Sequence, residues 1–324
     1  MTSSAARPIC VLGLGLIGGS LTRAAQAAGR SVWGATASVH TAQAARADGL
    51  DVFPTVDEAL ARAAEQDALV VLAMPLTAVA QVLERVDAIA PNCRLTDVVS
   101  VKAALRDLVL THAPAARFVG GHPMAGTAES GWAAGSATLF SGANWVIASD
   151  DDADPSVWAD VAELAWDCGA RVVPAGSEEH DVAVGRISHL PHLLAAVLAT
   201  VADVPALLPG DVDPGQLPLT LAAGSFADAT RVMDTRPELV LAMCEGNRAG
   251  LLSALDEALG RLGAARGSLA STGGLAATIN PGHAARLRWQ DARQAPETRI
   301  ARDTKPEQLR ELGRAGELIV GFTD

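Results

Sequence analysis

A six-residue turn, Gly13-Leu14-Gly15-Leu16-Ile17-Gly18, constrains the fold of this chain more than any other feature. It closes the apolar run that begins at Ile9, and a helical pattern extends from Ile17 to Ala28. A second apolar run, Ser31 to Ala35, follows at once. That order is a strand–helix–strand unit, the setting in which three glycines at this spacing hold a dinucleotide. Gly13 permits the tight turn, Gly15 lets a pyrophosphate approach the backbone, and Gly18 lets helix and strand pack closely. Leu14, Leu16 and Ile17 complete the turn, where N–H groups at the helix start meet phosphate. The alternative, a glycine-rich turn without ligand, is disfavoured by the strand and helix on either side. The acidic residue expected to grip the adenosine ribose is missing, and Thr36 stands near its place. With no carboxylate to repel a 2′-phosphate, the cofactor is NAD or NADP, and selectivity stays open.

The strand–helix alternation continues. Strands are expected near Asp51–Phe53, Ala68–Ala73, Arg94–Val99, Arg117–Gly120, Asn144–Ala148 and Arg171–Val173, with helices between them. Asp154-Pro155 reads as a helix start. The pattern predicts an α/β, Rossmann-like domain over 1–175 with a mostly parallel sheet. After Pro174 the apolar stretches His192–Ala202, Leu219–Ala223 and Pro237 to about Leu262 are helical in pattern. Residues 176–324 are therefore expected to form an all-helical substrate and dimerisation domain. Pro205–Pro218 reads as a loop. The tail beyond Leu262 carries only a weak helical run near Glu307–Ala315.

Composition excludes several classes. The net charge of −12 offers no basic stripe to a nucleic acid. No apolar stretch reaches the roughly 18–20 residues of a membrane span, and Met1–Pro8 lacks the pattern of a signal peptide, so a cytoplasmic protein is expected. Cys10, Cys93, Cys168 and Cys244 are widely spaced and read as reduced thiols. There is no tyrosine, which rules out a Tyr general acid. Lys102 and Lys305 are the only lysines, so dehydrogenases that use a lysine from a helical domain are unlikely relatives.

Ala73-Met74-Pro75, Ser100 and His122 each follow a predicted strand, and strand carboxyl ends border the ligand crevice of an open parallel sheet. A histidine there can accept a proton near neutrality, and a serine can orient it. Ser100 also suits the cap of the helix after Val101. His189 and His192 are three residues apart at the start of an apolar helix. No further ligands fall at metal spacing, so no metal is expected. Arg231 can fork onto a carboxylate or pair with Asp228 or Asp234.

Taken together, Gly13-Leu-Gly-Leu-Ile-Gly-Gly-Ser20, Ala73-Met-Pro75, Asp97-Val-Val-Ser-Val-Lys102, His122-Pro-Met-Ala-Gly-Thr127, Glu179-His-Asp181, Ser188-His-Leu-Pro-His192 and Asp228-Ala-Thr-Arg231 resemble the prephenate/arogenate dehydrogenases of tyrosine biosynthesis. The resemblance runs from residue 9 to about 262. It implies oxidative decarboxylation of a small dicarboxylate with NAD(P). His122 would contact the ring hydroxyl, Ser100 would orient His122, and Arg231 would bind a substrate carboxylate. Ser188, His189, His192 and Thr127 would line the substrate pocket, Ala73, Met74 and Pro75 the cofactor, and the protein would be a homodimer. Departures are Ala128 where a Glu is common after Thr127, Ala227 where a Lys is common, and Val240 where a Trp is common. These lie near the substrate side chain, where prephenate and arogenate differ; prephenate is the expected substrate, with arogenate the alternative towards which the lost Lys leans. The competing readings are a pyrroline-carboxylate or imine reductase and a non-catalytic NAD(P)-binding sensor. Neither calls for His122, Ser100 and Arg231 together.

Overall fold

The structure, a computed structural model, describes residues 6–127, 129–203 and 214–323. Ala128 and most of Pro205–Pro218 lie outside them. From the N-terminus, β1 (Ile9–Leu12), α1 (Leu16–Ala27), β2 (Val32–Ala35), α2 (Val39–Ala47), β3 (Asp51–Val52), α3 (Val56–Glu65), β4 (Leu69–Leu72), α4 (Leu76–Ile89), β5 (Arg94–Asp97), α5 (Ala103–His112) and β6 (Arg117–Phe118) alternate. The six strands form an all-parallel sheet in the order β3-β2-β1-β4-β5-β6. Every residue of β1 and β4 is buried, as expected of strands covered by helices on both faces. Strand order reverses between β1 and β4, the crevice where such sheets bind ligands.

A second sheet was not anticipated. β7 (Gly121–Pro123), β8 (Asn144–Ala148) and, after α6 (Pro155–Asp167), β9 (Arg171–Ala175) belong to a separate five-stranded sheet. His122 therefore sits inside β7, antiparallel to β8 opposite Val146, and not in the loop after a parallel strand. Helix α6 starts as the sequence suggests: Asp154 accepts the Ser156 and Val157 N–H groups, and Pro155 occupies the first turn.

Beyond β9 the chain is helical. α7 (Ser177–Val184), a π-helical turn (Gly185–His189) and α8 (Leu190–Asp203) follow one another directly. Their 27 residues make one helix long and apolar enough, by length and composition, to cross a membrane. This corrects the reading of the sequence, in which no apolar stretch reached the roughly 18–20 residues of a membrane span. His180, Asp181 and His189 of this helix are buried, which makes it a wall of the domain junction. α9 (Leu217–Leu221), α10 (Gly224–Thr230), a 3-10 turn (Arg231–Asp234), α11 (Pro237–Gly246), α12 (Arg248–Ser271) and α13 (Ala276–Ala292) complete the helical part. The single helix expected from Pro237 to Leu262 is broken at Asn247, whose φ of −110° and ψ of 51° leave the helical region.

The tail departs from the all-helical expectation after Ala292. β10 (Glu297–Ile300), α14 (Pro306–Ala315) and β11 (Leu318–Phe322) return to the N-terminal domain. They extend the second sheet to the order β10-β11-β9-β8-β7. Ile300, Leu309, Leu318 and Ile319 are buried there.

Candidate active site

A cleft of about 450 Å³ runs between the parallel sheet and the helices. Gly15, Leu16 and Ile17 line one end, followed by Ala73, Met74 and Pro75 after β4 and by Val98–Val101 after β5. His122, Thr127 and Glu129 lie further along, with His192, Arg236, Leu239, Val240 and Met243 opposite. The glycine turn fits a dinucleotide. Gly13 has φ +99°, and a Cβ there would stand 2.4 Å from the Ala73 carbonyl oxygen. A Cβ on Gly18 would stand 2.0 Å from the Gly13 oxygen, whereas one on Gly15 would meet nothing within 4 Å. The backbone is thus tight where helix and strands meet and open where a pyrophosphate would approach. Among the described residues no side chain caps α1, so its first N–H groups are available to phosphate.

His122 is half-buried in the cleft wall. Its Nδ1 lies 2.8 Å from His180 Nε2, and His180 Nδ1 lies 2.8 Å from Asp181 Oδ1. The Asp181 carboxylate also accepts the Lys102 and Ala103 N–H groups at 2.8 and 2.9 Å, capping α5 from the helical domain. Burial holds the His122 pKa well below 6.5, and His180, Lys102 and His189 act in the same direction. Burial likewise lowers His180, against the pull of Asp181. Burial alone would raise Asp181, but the hydrogen bonds from His180, Lys102 and Ala103 keep it below the usual carboxylate range.

Beneath β7 lies a buried ion pair, Asp97 with Lys102. Lys102 Nζ donates to the Gly121 carbonyl at 2.7 Å, and Asp97 Oδ2 accepts the Gly121 N–H at 3.1 Å. The residue before His122 is thereby pinned to the end of β5. Burial pushes the Asp97 carboxyl up and the Lys102 ammonium down, each against their mutual attraction.

Several expected site residues are placed differently. Leu14 is buried in the core and does not line the cleft. Thr36 follows β2 and lies outside the cleft lining, its hydroxyl accepting the Ser38 N–H at 3.4 Å. Ser100 lines the cleft but makes no hydrogen bond to His122. His180 takes the ring's Nδ1 instead, and Asp181 rather than Ser100 caps α5. His192 lines the cleft and donates from Nδ1 to the Ser188 carbonyl at 2.8 Å. Ser188 lies behind it, its hydroxyl 3.9 Å from Met243 Sδ. His189 is wholly buried. Arg231 is exposed and outside the cleft lining, and among the described residues it forms no ion pair with Asp228 or Asp234; the cleft's guanidinium belongs to Arg236. His180 and Asp181, which contact His122 in series, and Arg236, which lines the cleft, were not singled out from the sequence. The polar stretch Glu179-His180-Asp181 ahead of an apolar helix was the available signal.

The family described as "Prephenate dehydrogenase, nucleotide-binding domain" matches residues 21–174, and "Prephenate dehydrogenase, dimerization domain" matches residues 176–272. A cyclohexadienyl dehydrogenase of Zymomonas mobilis is 30% identical over 268 residues, covering 82% of this chain and 89% of that protein. A Corynebacterium glutamicum structure, provisionally named a prephenate dehydrogenase, is 43% identical with a TM-score of 0.89, covering 98% of this chain and 100% of its own. A Synechocystis arogenate dehydrogenase is 27% identical with a TM-score of 0.73, over 87% of this chain and 99% of that one. The chain belongs to the prephenate dehydrogenase family.

Proposed function

We propose that this chain oxidises and decarboxylates prephenate to 4-hydroxyphenylpyruvate, using NAD or NADP, with His122 as the base. One observation carries the reading: a histidine held neutral by burial lines the cleft that begins at the glycine turn. Prephenate carries a hydroxyl and a hydrogen on the same ring carbon. His122 takes the hydroxyl proton as the C–H bond releases its electron pair as hydride and the C–O bond becomes a carbonyl. A dinucleotide held by its pyrophosphate at the glycine turn would supply the nicotinamide that takes up this hydride. The ring carboxylate leaves as carbon dioxide, its bonding electrons make the ring aromatic, and the former carbonyl oxygen takes the proton back from His122 as the phenol hydroxyl. The protein's task is largely positioning. Gly13, Gly15, Gly18 and the start of α1 hold the pyrophosphate, and Ala73-Met74-Pro75 border the rest of the cofactor. Arg236 is the cation within the cleft for a substrate carboxylate, and Arg231 is the candidate that the family motif supplies. Ser100 and Thr127 offer hydroxyls, and His192, backed by Ser188, offers Nε2.

Arogenate is the second reading, because the Glu129 carboxylate lines the cleft and suits the ammonium that arogenate carries in place of the keto group. Initial rates with both substrates, each crossed with both cofactors, test the two readings together. Turnover of neither substrate would refute the function. The helices expose Val201, Leu241, Leu262, Ile279 and Leu287, an apolar extent that marks a partner surface. With the match to a dimerisation domain, it supports a twofold homodimer, which light scattering checks.

A further inference from the structure

Asp181 is linked to two histidines by two routes, to His122 through His180 and to His189 through Asn247. Its carboxylate is an acceptor only, so the 2.8 Å contact requires His180 to carry its proton on Nδ1. A neutral His180 then has a lone pair on Nε2, and the 2.8 Å contact to His122 requires the proton of His122 on Nδ1. His122 is left with a lone pair on Nε2. The second route runs through the Asp181 carbonyl, which accepts the Asn247 amide at 2.6 Å. That fixes which end of the amide is nitrogen. The same nitrogen stands 3.1 Å from His189 Nδ1, which must accept. His189, with its pKa lowered to about 4 by burial, is neutral and carries its proton on Nε2. That Nε2 is buried with no hydrogen-bond partner among the described residues.

We propose that Asp181 sets opposite tautomers on two histidines, making His122 a proton acceptor through His180 and His189 a proton donor through Asn247. His180, Asp181 and Asn247 are positioning residues. The hub has reason to stay in place, because the Asp181 carboxylate is also anchored by two backbone N–H groups of α5. Without it His122 could place its proton on Nε2, and a ring so arranged cannot take a proton from a hydroxyl. The sequence motif gave the orienting role to Ser100, which makes no such contact in the fold. The donor on His189 has no acceptor among the described residues.

The inference rests on the reading of His122 as base but is measured separately from it. The test is 15N NMR of the histidine-labelled protein at neutral pH, with signals assigned by single His→Gln variants. The expected spectrum shows protonated nitrogen at Nδ1 of His122 and His180 and at Nε2 of His189. Protonated Nε2 on His122, or protonated Nδ1 on His189, would overturn the proposal without a rate measurement. As a second arm, His180→Phe removes the acceptor, whereas His180→Gln keeps an amide oxygen near the position of Nε2. His180→Phe should mix the His122 tautomers and lower kcat about tenfold or more, short of the roughly 10² to 10⁴ for losing a base, with the cofactor KM unchanged. His180→Gln should restore part of both. A folded His180→Phe protein with one His122 tautomer and full kcat would refute the proposal. If His122→Asn kept full turnover while the tautomers stood as stated, the base assignment would fail and the tautomer assignment would survive.

Discussion

Gly313 lies so close to Pro174 that a Cβ on it would stand 1.8 Å from the Pro174 carbonyl oxygen. The contact presses α14 onto the end of β9, where the chain passes from the α/β domain into α7. Arg310 donates to the Ser149 carbonyl at 2.6 Å, and Arg314 donates to Glu179, next to His180, at 2.7 Å. The C-terminal strands and helix thus brace the segment that carries His180. Gly313→Ala should raise intrinsic helix propensity by about 0.8–1 kcal/mol yet destabilise the protein, because overpacking against backbone costs about 1–3 kcal/mol. Denaturant unfolding decides the sign. A gain in stability would show that α14 can move away freely.

Cofactor choice is tested at Thr36, where the second strand ends without a carboxylate. The unmodified protein should accept NADP, and Thr36→Asp should shift preference towards NAD by repelling the 2′-phosphate. The readout is the ratio of kcat/KM for the two cofactors. Strong rejection of NADP by the unmodified protein would mean that another group guards the ribose.

What the sequence disclosed was local. The glycine turn, the strand ends after it and the start of α6 depend on neighbouring residues, and each was legible. The His122–His180 contact joins residues 58 apart on separate domains, so no periodicity could announce it. The break at Asn247 was readable in principle, since Gly246-Asn247 is a helix-stop pair, but the apolar pattern on either side masked it. β10 was hidden by its composition: Glu297-Thr298-Arg299-Ile300 is a short, mostly polar edge strand, stabilised by pairing with β11 rather than by its own apolar face. Ser100 misled because sequence order places it near the helix cap, whereas the fold delivers Asp181 from another domain.

The carboxylate partner separates two arginines. Arg236→Ala should raise the substrate KM more than it lowers kcat, since a carboxylate contact is made in the ground state as well as the transition state. Arg236 lines the cleft but is exposed, so the loss should be smaller than the roughly 2–5 kcal/mol of a buried charged hydrogen bond. Arg231→Ala, at a residue outside the cleft lining, should cost less within one chain. A larger effect at Arg231 than at Arg236 would return the clamp to the residue that the family motif indicates.

The pH dependence follows from which form of His122 works. The base must be neutral, and burial holds its pKa well below 6.5, with His180, Lys102 and His189 adding to the shift. Activity should therefore be level through neutrality, with the acid limb of kcat/KM lying below pH 6.5 rather than at it. His180 and His189 are also lowered, so the orienting contacts remain in force over the same range. The stability consequence has a definite sign. A histidine whose folded pKa lies below its unfolded value binds fewer protons when folded, so stability is fully present above about pH 6.5 and falls as pH drops towards the folded value. His122→Asn should lower kcat by roughly 10² to 10⁴ while cofactor binding survives, and should flatten the acid limb that His122 creates. An unchanged acid limb in that variant would assign it to another group, and turnover near that of the unmodified protein would remove His122 from the chemistry.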